Sequence, residues 1–114
     1  MTKELNLNEA HCEACNGLVD CIDATELPEW MALVDDQWQL NDDNNNTITR
    51  SYKFNNFAKT MFFVNALAHM ADQERHHPDV TFGYNYCQVS YTTHEAKGLT
   101  RNDFICAKKV DAMS

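Results

Sequence analysis

Long apolar runs are missing from this sequence of 114 residues. No segment approaches the roughly 20 consecutive apolar residues that a membrane-spanning helix needs. The first residues, MTKELNLNEAHC, are polar and contain neither the apolar stretch nor the small-residue cleavage site of a secretory signal. We therefore expect a cytoplasmic protein that does not associate with a membrane, and the length predicts one domain.

Basic residues are also scarce. Lysine and arginine together number 9 against 17 aspartate and glutamate residues, which gives a formal net charge of -8. Affinity for nucleic acids rests on Lys and Arg side chains that neutralise backbone phosphates. The charge balance therefore argues against direct binding to DNA or RNA.

Cysteine occurs in an odd number, at positions Cys12, Cys15, Cys21, Cys87 and Cys106. Since no export signal is found, we expect reduced thiols rather than a set of disulfides. The segment HCEAC could supply part of a zinc site together with Cys21, but the second ligand pair of such sites is missing. Free thiols on an N-terminal tail are the favoured interpretation, and we predict no metal site.

The first 22 residues show no clear hydrophobic period, and we interpret residues 1–22 as an irregular extension ahead of a domain spanning residues 23–114. Thr25 is a candidate N-cap for a first short helix in TELPEWMALV. The segments DQWQL and TITRSYKF alternate apolar and polar side chains on either side of the polar run NDDNNN. This pattern predicts a hairpin with NDDNNN as its loop.

A longer amphipathic helix follows, with Asn55 or Asn56 as its N-cap and an end near Arg75. Its apolar residues recur at spacings of four, three, four and three, which predicts a buried stripe of Phe57, Met61, Val64, Ala68 and Ala71. The phenylalanines around the start of this helix are expected in the core: Phe54, Phe57, Phe62 and Phe63.

A second hairpin is predicted after Pro78. Apolar side chains alternate in two runs, at Val80, Phe82 and Tyr84 and then at Cys87, Val89 and Tyr91. Each run is apolar on one side only, which favours a sheet with a single covered face.

The third helix is predicted to start at a capping-box-like pair, Thr100 and Asp103, and to turn Phe104, Ala107 and Val110 inward. The resulting order is α-β-β-α-β-β-α. It predicts an α+β fold, with a four-stranded antiparallel sheet and three helices packed on one face.

Two of the five histidines stand side by side in the stretch ERHHPDV. Pro78 disfavours helical geometry at His77, so the pair lies where a helix gives way to a strand. A polar helix end whose cations complement the helix dipole would account for both residues. Asp72, four residues before His76, is expected to accept a hydrogen bond from that ring and fix its tautomer. The sequence alone does not bring His94 close to them.

The run DQERHHPDVTFGYNYCQVSYTTHEAKGLTRND, residues 72–103, resembles the signature of the pterin-4a-carbinolamine dehydratases. That signature is an acidic residue, three positions, His-His-Pro, five positions, an aromatic residue, nine positions, His, eight positions and Asp. Every fixed position is filled here, by Asp72, His76, His77, Pro78, Tyr84, His94 and Asp103. The resemblance extends upstream through YKFNNFAKTMFFVNALAHMAD and to Trp38, and it covers roughly residues 25–112.

The resemblance implies dehydration of 4a-hydroxytetrahydrobiopterin, or of a related tetrahydropterin, to the quinonoid dihydropterin. This step recycles the cofactor of aromatic amino acid hydroxylases, and the family uses no metal and no organic cofactor. Histidine suits the chemistry, because a pKa near ~6.5 leaves both protonation states populated at neutral pH. The resemblance also implies a homodimer or a homotetramer.

Carried over position by position, His76, His77 and His94 correspond to the catalytic histidines. We expect His76 and His94 to transfer protons and His77 to bind and polarise the substrate. The implied substrate-binding set is Asp72, Arg75, His76, His77, Thr92, Thr93, His94 and Glu95. Asp103 is a supporting residue, for which helix capping is a sufficient alternative role.

Two departures from the family pattern concern the pterin pocket. Val80 replaces the first residue of an aromatic pair in the vertebrate enzymes, and Asp72 is one methylene shorter than glutamate. An alternative function is a non-catalytic dimerisation module, because a vertebrate member also partners a homeodomain transcription factor. Such a module would need none of the three histidines.

Overall fold

The computed structural model describes residues 21–41 and 46–113. Its helices and strands, in chain order, are α1 (Leu27–Met31), β1 (Gln39–Leu40), β2 (Ile48–Lys53), α2 (Phe57–Glu74), β3 (Asp79–Phe82), β4 (Tyr86–Tyr91) and α3 (Arg101–Met113). A single 3₁₀ turn, His94–Ala96, lies between β4 and α3 and is called the His94 turn below. The predicted extension lies almost wholly outside the described residues, as do His11, Cys12, Cys15 and most of NDDNNN.

The four strands form one antiparallel sheet in the order β1-β2-β4-β3. Strand β4 is central and pairs with β2 over its whole length, with Tyr52 opposite Cys87 and Ile48 opposite Tyr91. Strand β3 is an edge, paired with β4 alone within the described residues. Together with the three helices, this sheet confirms the predicted α+β fold.

The core lies between the sheet and the helices, and α3 runs through its centre. The inner side chains of β4 are fully buried, as are most of the residues of the first two turns of α3. Helix α1 closes one end, where the Trp30 and Phe104 rings lie 5.6 Å apart between centroids. The apolar area removed from water here is the main favourable term in folding.

Helix α2 is rotated relative to the predicted orientation. Its buried residues are Thr60, Phe63, Leu67 and Ala71, and Ala71 is the one member of the predicted stripe among them. Phe57 is 47% exposed and Phe62 is 77% exposed, so the prediction that these two rings are in the core was wrong. Apolar residues occupy more than one face of this helix, and the face with Phe63 and Leu67 packs on the sheet.

Strand β3 also departs from the prediction. All four of its residues are exposed, including Val80 and Phe82, and Tyr84 beyond it is 66% exposed. Val80 and Phe82 instead line a groove between α2 and β3. The apolar side of β3 therefore borders an open groove instead of the core.

The ends of the helices follow local rules. Asn56 caps α2, with its Oδ1 accepting a hydrogen bond from the Lys59 amide at 2.8 Å. The predicted N-cap of α1 was wrong: the helix begins after Glu26, and Thr25 instead donates to Asp23. Within residues 21–41 and 46–113, every helix is too short or too polar to cross a lipid bilayer.

Candidate functional site

The C-terminus of α2 determines where the two adjacent histidines point. Arg75 adopts a left-handed conformation with φ of 55°, and the His76 amide donates back to the Ala71 carbonyl at 3.1 Å. This six-to-one hydrogen bond is typical of a Schellman helix end, and Pro78 prevents the helix from resuming. The chain reverses at this point, so His76 turns into the protein and His77 turns out toward solvent.

His76 is 5% exposed and forms a buried pair with Asp103. Its Nε2 lies 2.6 Å from Asp103 Oδ1, and its ring stacks on Tyr91 at 5.4 Å between centroids. Asp103 belongs to the first turn of α3, where its Oδ2 also accepts from the Thr100 amide at 2.9 Å. Helix capping and support of His76 are thus functions of the same carboxylate.

His77 makes the contact that we expected of His76. Its Nε2 lies 3.0 Å from Asp72 Oδ1, and both side chains are largely exposed. The prediction that Asp72 orients His76 was therefore wrong, because the reversal at Arg75 directs His76 away from α2 and toward α3. Solvent screens an exposed pair of this kind, so its contribution to stability is small.

A groove of about 410 Å³ lies between α2 and β3. Its walls are apolar, and the His77 and Asp72 side chains supply its polar end. The lining residues are Val64, Leu67, Ala68, Ala71, Asp72, His77, Pro78, Val80 and Phe82. Three residues of the predicted buried stripe, Val64, Ala68 and Ala71, thus line a ligand-sized groove. Periodicity alone does not distinguish this role from burial.

His94 and Glu95 are exposed on the His94 turn. The turn is closed by two backbone hydrogen bonds between Thr93 and Gly98, and Lys97 has a left-handed φ of 59°. The Thr93 hydroxyl donates to Asp103 Oδ2 at 2.8 Å. His94 therefore follows directly after a residue bonded to the carboxylate that holds His76.

The threonines of the predicted binding set use their hydroxyls inside the protein. Thr92 Oγ1 donates to the Asn46 carbonyl at 2.5 Å, and Thr93 is 1% exposed. Arg75, by contrast, is exposed next to the histidine pair. Sequence reasoning missed Tyr91, which stacks on His76. It linked Thr100 to Asp103 through the capping-box spacing but missed the bond between the Thr100 and Thr93 hydroxyls.

The structure describes three of the cysteines, Cys21, Cys87 and Cys106. Burial raises the pKa of the Cys87 thiol to about 11, because desolvation disfavours the thiolate. Cys21 is exposed, and its thiol contacts the Ala96 carbonyl at 2.8 Å. Within the described ranges, no three His, Cys, Asp or Glu side chains are arranged to hold a metal ion.

Comparison with known proteins identifies the family. The family model described as pterin 4 alpha carbinolamine dehydratase matches residues 21–113. Several relatives are named as pterin-4-alpha-carbinolamine dehydratases, and their names mark the activity as provisional. One, from Legionella pneumophila strain Corby, is 43% identical to this chain, and the alignment covers 95% of both chains. Another, from Nitrosomonas eutropha, is 44% identical and covers 99% of this chain and 97% of the relative.

Solved structures agree with this assignment. The crystal structure of a transcriptional coactivator/pterin dehydratase from Brucella melitensis is 32% identical, with a TM-score of 0.76 over 82% of this chain and 98% of that chain. A pterin dehydratase-like protein described as a RuBisCO assembly factor shares the fold at 23% identity, with a TM-score of 0.59 over 68% of this chain and 88% of that chain. With a family match across the described domain and relatives above 40% identity, this chain belongs to the pterin-4-alpha-carbinolamine dehydratase family.

Proposed function

We propose that this protein removes water from a 4a-hydroxytetrahydropterin, such as 4a-hydroxytetrahydrobiopterin, to give the quinonoid dihydropterin. The observation that carries the proposal is the contact between His76 and Asp103. The two residues lie 27 positions apart, near opposite ends of the histidine motif. A carboxylate that holds one ring nitrogen of a histidine is a recurrent arrangement in general acid and base catalysis. The same relation holds for His77 and Asp72 at the mouth of the groove.

In the reaction the C4a–O bond breaks and the proton on N5 is lost. The electron pair of the N–H bond forms the C4a=N5 double bond, and the 4a-hydroxyl leaves as water after accepting a proton. One group must therefore act as a base toward N5 and another as an acid toward the hydroxyl. No metal or organic cofactor enters this balance.

We assign the two proton transfers to His76 and His94, and binding and polarisation of the pterin to His77. His76 is 5% exposed, so only a small part of its side chain can meet a ligand. Its pairing with Asp103 would stabilise the imidazolium formed when it accepts a proton. Asp72, Arg75 and Glu95 are exposed and can contact the ligand directly.

The Thr92 and Thr93 hydroxyls both donate their hydrogen within the protein, so neither can donate it to the substrate. The groove beside His77 offers flat apolar walls to a bicyclic ring, with one polar end. We further propose that an aromatic amino acid hydroxylase in the same cytoplasm supplies the substrate.

A stopped-flow assay on chemically generated 4a-hydroxytetrahydropterin tests the proposal. We expect His76→Ala and His94→Ala each to lower the rate constant by roughly 10²- to 10⁴-fold, the usual contribution of a general acid or base. His77→Ala should mainly raise KM. His69→Ala is the matched control, because His69 is exposed on α2 outside the motif, and its rate should equal that of the wild type.

A non-catalytic binding module is the second candidate. It is favoured by the exposed apolar side chains on α2 and β3, and by the name of the Brucella melitensis relative, which includes transcriptional coactivator. A wild-type protein that folds and self-associates but does not dehydrate the pterin would favour this alternative. Unchanged rates in both histidine variants would remove the catalytic assignment.

A further inference from the structure

Four buried polar side chains form a closed cluster beneath the proposed site. They are His76 at 5% exposure, Thr93 at 1%, and Thr100 and Asp103 at 0%. They come from the end of α2, the segment after β4 and the start of α3. A cluster this deeply buried needs every donor to find an acceptor, because an unsatisfied buried polar group is costly.

The hydrogen atoms of the cluster can be assigned by counting donors. Asp103 Oδ2 accepts from the Thr100 amide at 2.9 Å and from the Thr93 hydroxyl at 2.8 Å. A hydroxyl has one hydrogen to donate, and that of Thr93 is used on Asp103. The 2.8 Å contact between the Thr93 and Thr100 hydroxyls must therefore be donated by Thr100.

The chain of donors then continues without conflict. Thr100 Oγ1 accepts from the Asn102 amide at 3.2 Å while it donates to Thr93. All these hydrogen bonds run in one direction and end on the carboxylate of Asp103. An ionised carboxylate has acceptors and no hydrogen to donate, so Asp103 Oδ1 can only accept from His76.

The direction of these hydrogen bonds fixes the tautomer of His76. Because Asp103 Oδ1 is an acceptor, the His76 Nε2 at 2.6 Å must carry a hydrogen. In the neutral ring, Nδ1 is then the nitrogen without a hydrogen. A carboxylate fixes the reactive nitrogen of a histidine in the same way in the catalytic triad.

We propose that Thr93 and Thr100 are positioning residues that act through Asp103 to hold His76 as its Nε2–H tautomer. The part of this inference that concerns the rate rests on the proposed function. Thr93 has a second link to the site, since its backbone closes the His94 turn through Gly98. One buried threonine thus joins the segments that contain His76 and His94.

Thr93 is the better position for a test, because Thr100 also caps α3. Thr93→Val keeps the shape of the side chain but removes the hydroxyl, which leaves Asp103 Oδ2 with the Thr100 amide alone. Thr93→Ser keeps the hydroxyl and is the matched control. Loss of a group that orients an active-site histidine lowers activity by roughly 10- to 100-fold in comparable outer-shell positions.

The first measurement is the ¹⁵N NMR spectrum of the His76 ring, which distinguishes the two tautomers without any substrate. We expect the Nε2–H form in the wild type and in Thr93→Ser, and a mixture of tautomers in Thr93→Val, where Asp103 has lost one of the two donors that hold its carboxylate against Nε2. The second measurement is the rate on 4a-hydroxytetrahydropterin. Here Thr93→Val should lower kcat by roughly 10-fold or more with little change in KM, and Thr93→Ser should restore it.

The two measurements separate the two hypotheses. A tautomer shift in Thr93→Val, with a wild type inactive on the pterin, would support the positioning role and overturn the proposed function. Unchanged ring signals in a folded Thr93→Val would overturn the positioning role alone. If Thr93→Val does not fold, the wild-type spectrum still decides, because a hydrogen on Nδ1 of His76 would contradict the inference.

Discussion

Three donors converge on the carboxylate of Asp111 in α3. Its Oδ1 accepts from the Trp38 indole at 2.7 Å and from the Arg50 guanidinium at 2.6 Å, and its Oδ2 accepts from the Asp35 amide at 2.8 Å. Trp38 is 2% exposed, and the Arg50 side chain is mostly buried over the Tyr52 ring. This carboxylate joins α3 to β2 and to the loop before β1.

We expect Asp111→Ala to lower the free energy of unfolding by about 3 kcal/mol, because the buried Trp38 indole N–H loses its acceptor and the mostly buried Arg50 keeps only its 3.6 Å ion pair with the half-exposed Asp35. Denaturation in urea followed by tryptophan fluorescence measures the loss. Asp36→Asn is the control, since this aspartate is exposed near the same loop, and it should change stability by less than about 0.5 kcal/mol. A loss below about 1 kcal/mol in Asp111→Ala would show that solvent replaces the carboxylate.

At the scale of elements, the start of α2 is set by one side chain. The sequence offered Asn55 and Asn56 equally, and the structure uses Asn56, which accepts from the Lys59 amide. We expect Asn56→Ala to destabilise the protein by about 1 kcal/mol, the usual cost of a lost N-cap. Asn55→Ala is the matched control and should cost less than about 0.5 kcal/mol. Equal losses in the two variants, measured by thermal unfolding, would contradict this assignment.

The order and type of the elements followed from the sequence because alternation and helical period are local signals. The rotation of α2 did not follow, since Phe57 and Phe62 lie on apolar positions as plausible as Phe63 and Leu67. Packing on the sheet selects one face, and that choice depends on residues far away in the chain. The exposure of β3 was missed for the same reason, because edge position in a sheet is a property of topology.

The site shows the same division between local and distant information. The motif residues around His76 could be named from their spacing, but the structure decides which of two adjacent imidazoles turns inward. That direction depends on the left-handed backbone at Arg75. Residues other than glycine rarely adopt this conformation, so nothing in the sequence predicts it here. The pairing of His76 with Asp103 then depends on how α3 packs against the end of α2.

At the scale of the whole molecule, large apolar side chains remain uncovered. Phe62 is 77% exposed and lines a depression of about 280 Å³ with Phe54, Lys59, Phe63, Ala66 and Met113. Phe57, Val80 and Phe82 are between 36% and 47% exposed. Exposed apolar surface of this kind marks interaction sites more often than free surface, and a homodimer or a homotetramer is our prediction from the sequence.

We therefore expect the chain to self-associate and Phe62→Glu to weaken that association. A buried charge without a partner is strongly unfavourable at an interface, whereas the same charge is harmless on a free surface. Sedimentation equilibrium measures the mass of the particle, which should fall toward that of the 13.1 kDa monomer in Phe62→Glu. Gln37→Glu adds the same charge at an exposed position in the loop before β1, and its mass should match that of the wild type. If Phe62→Glu and the wild type have the same mass at all concentrations, Phe62 does not contribute to self-association.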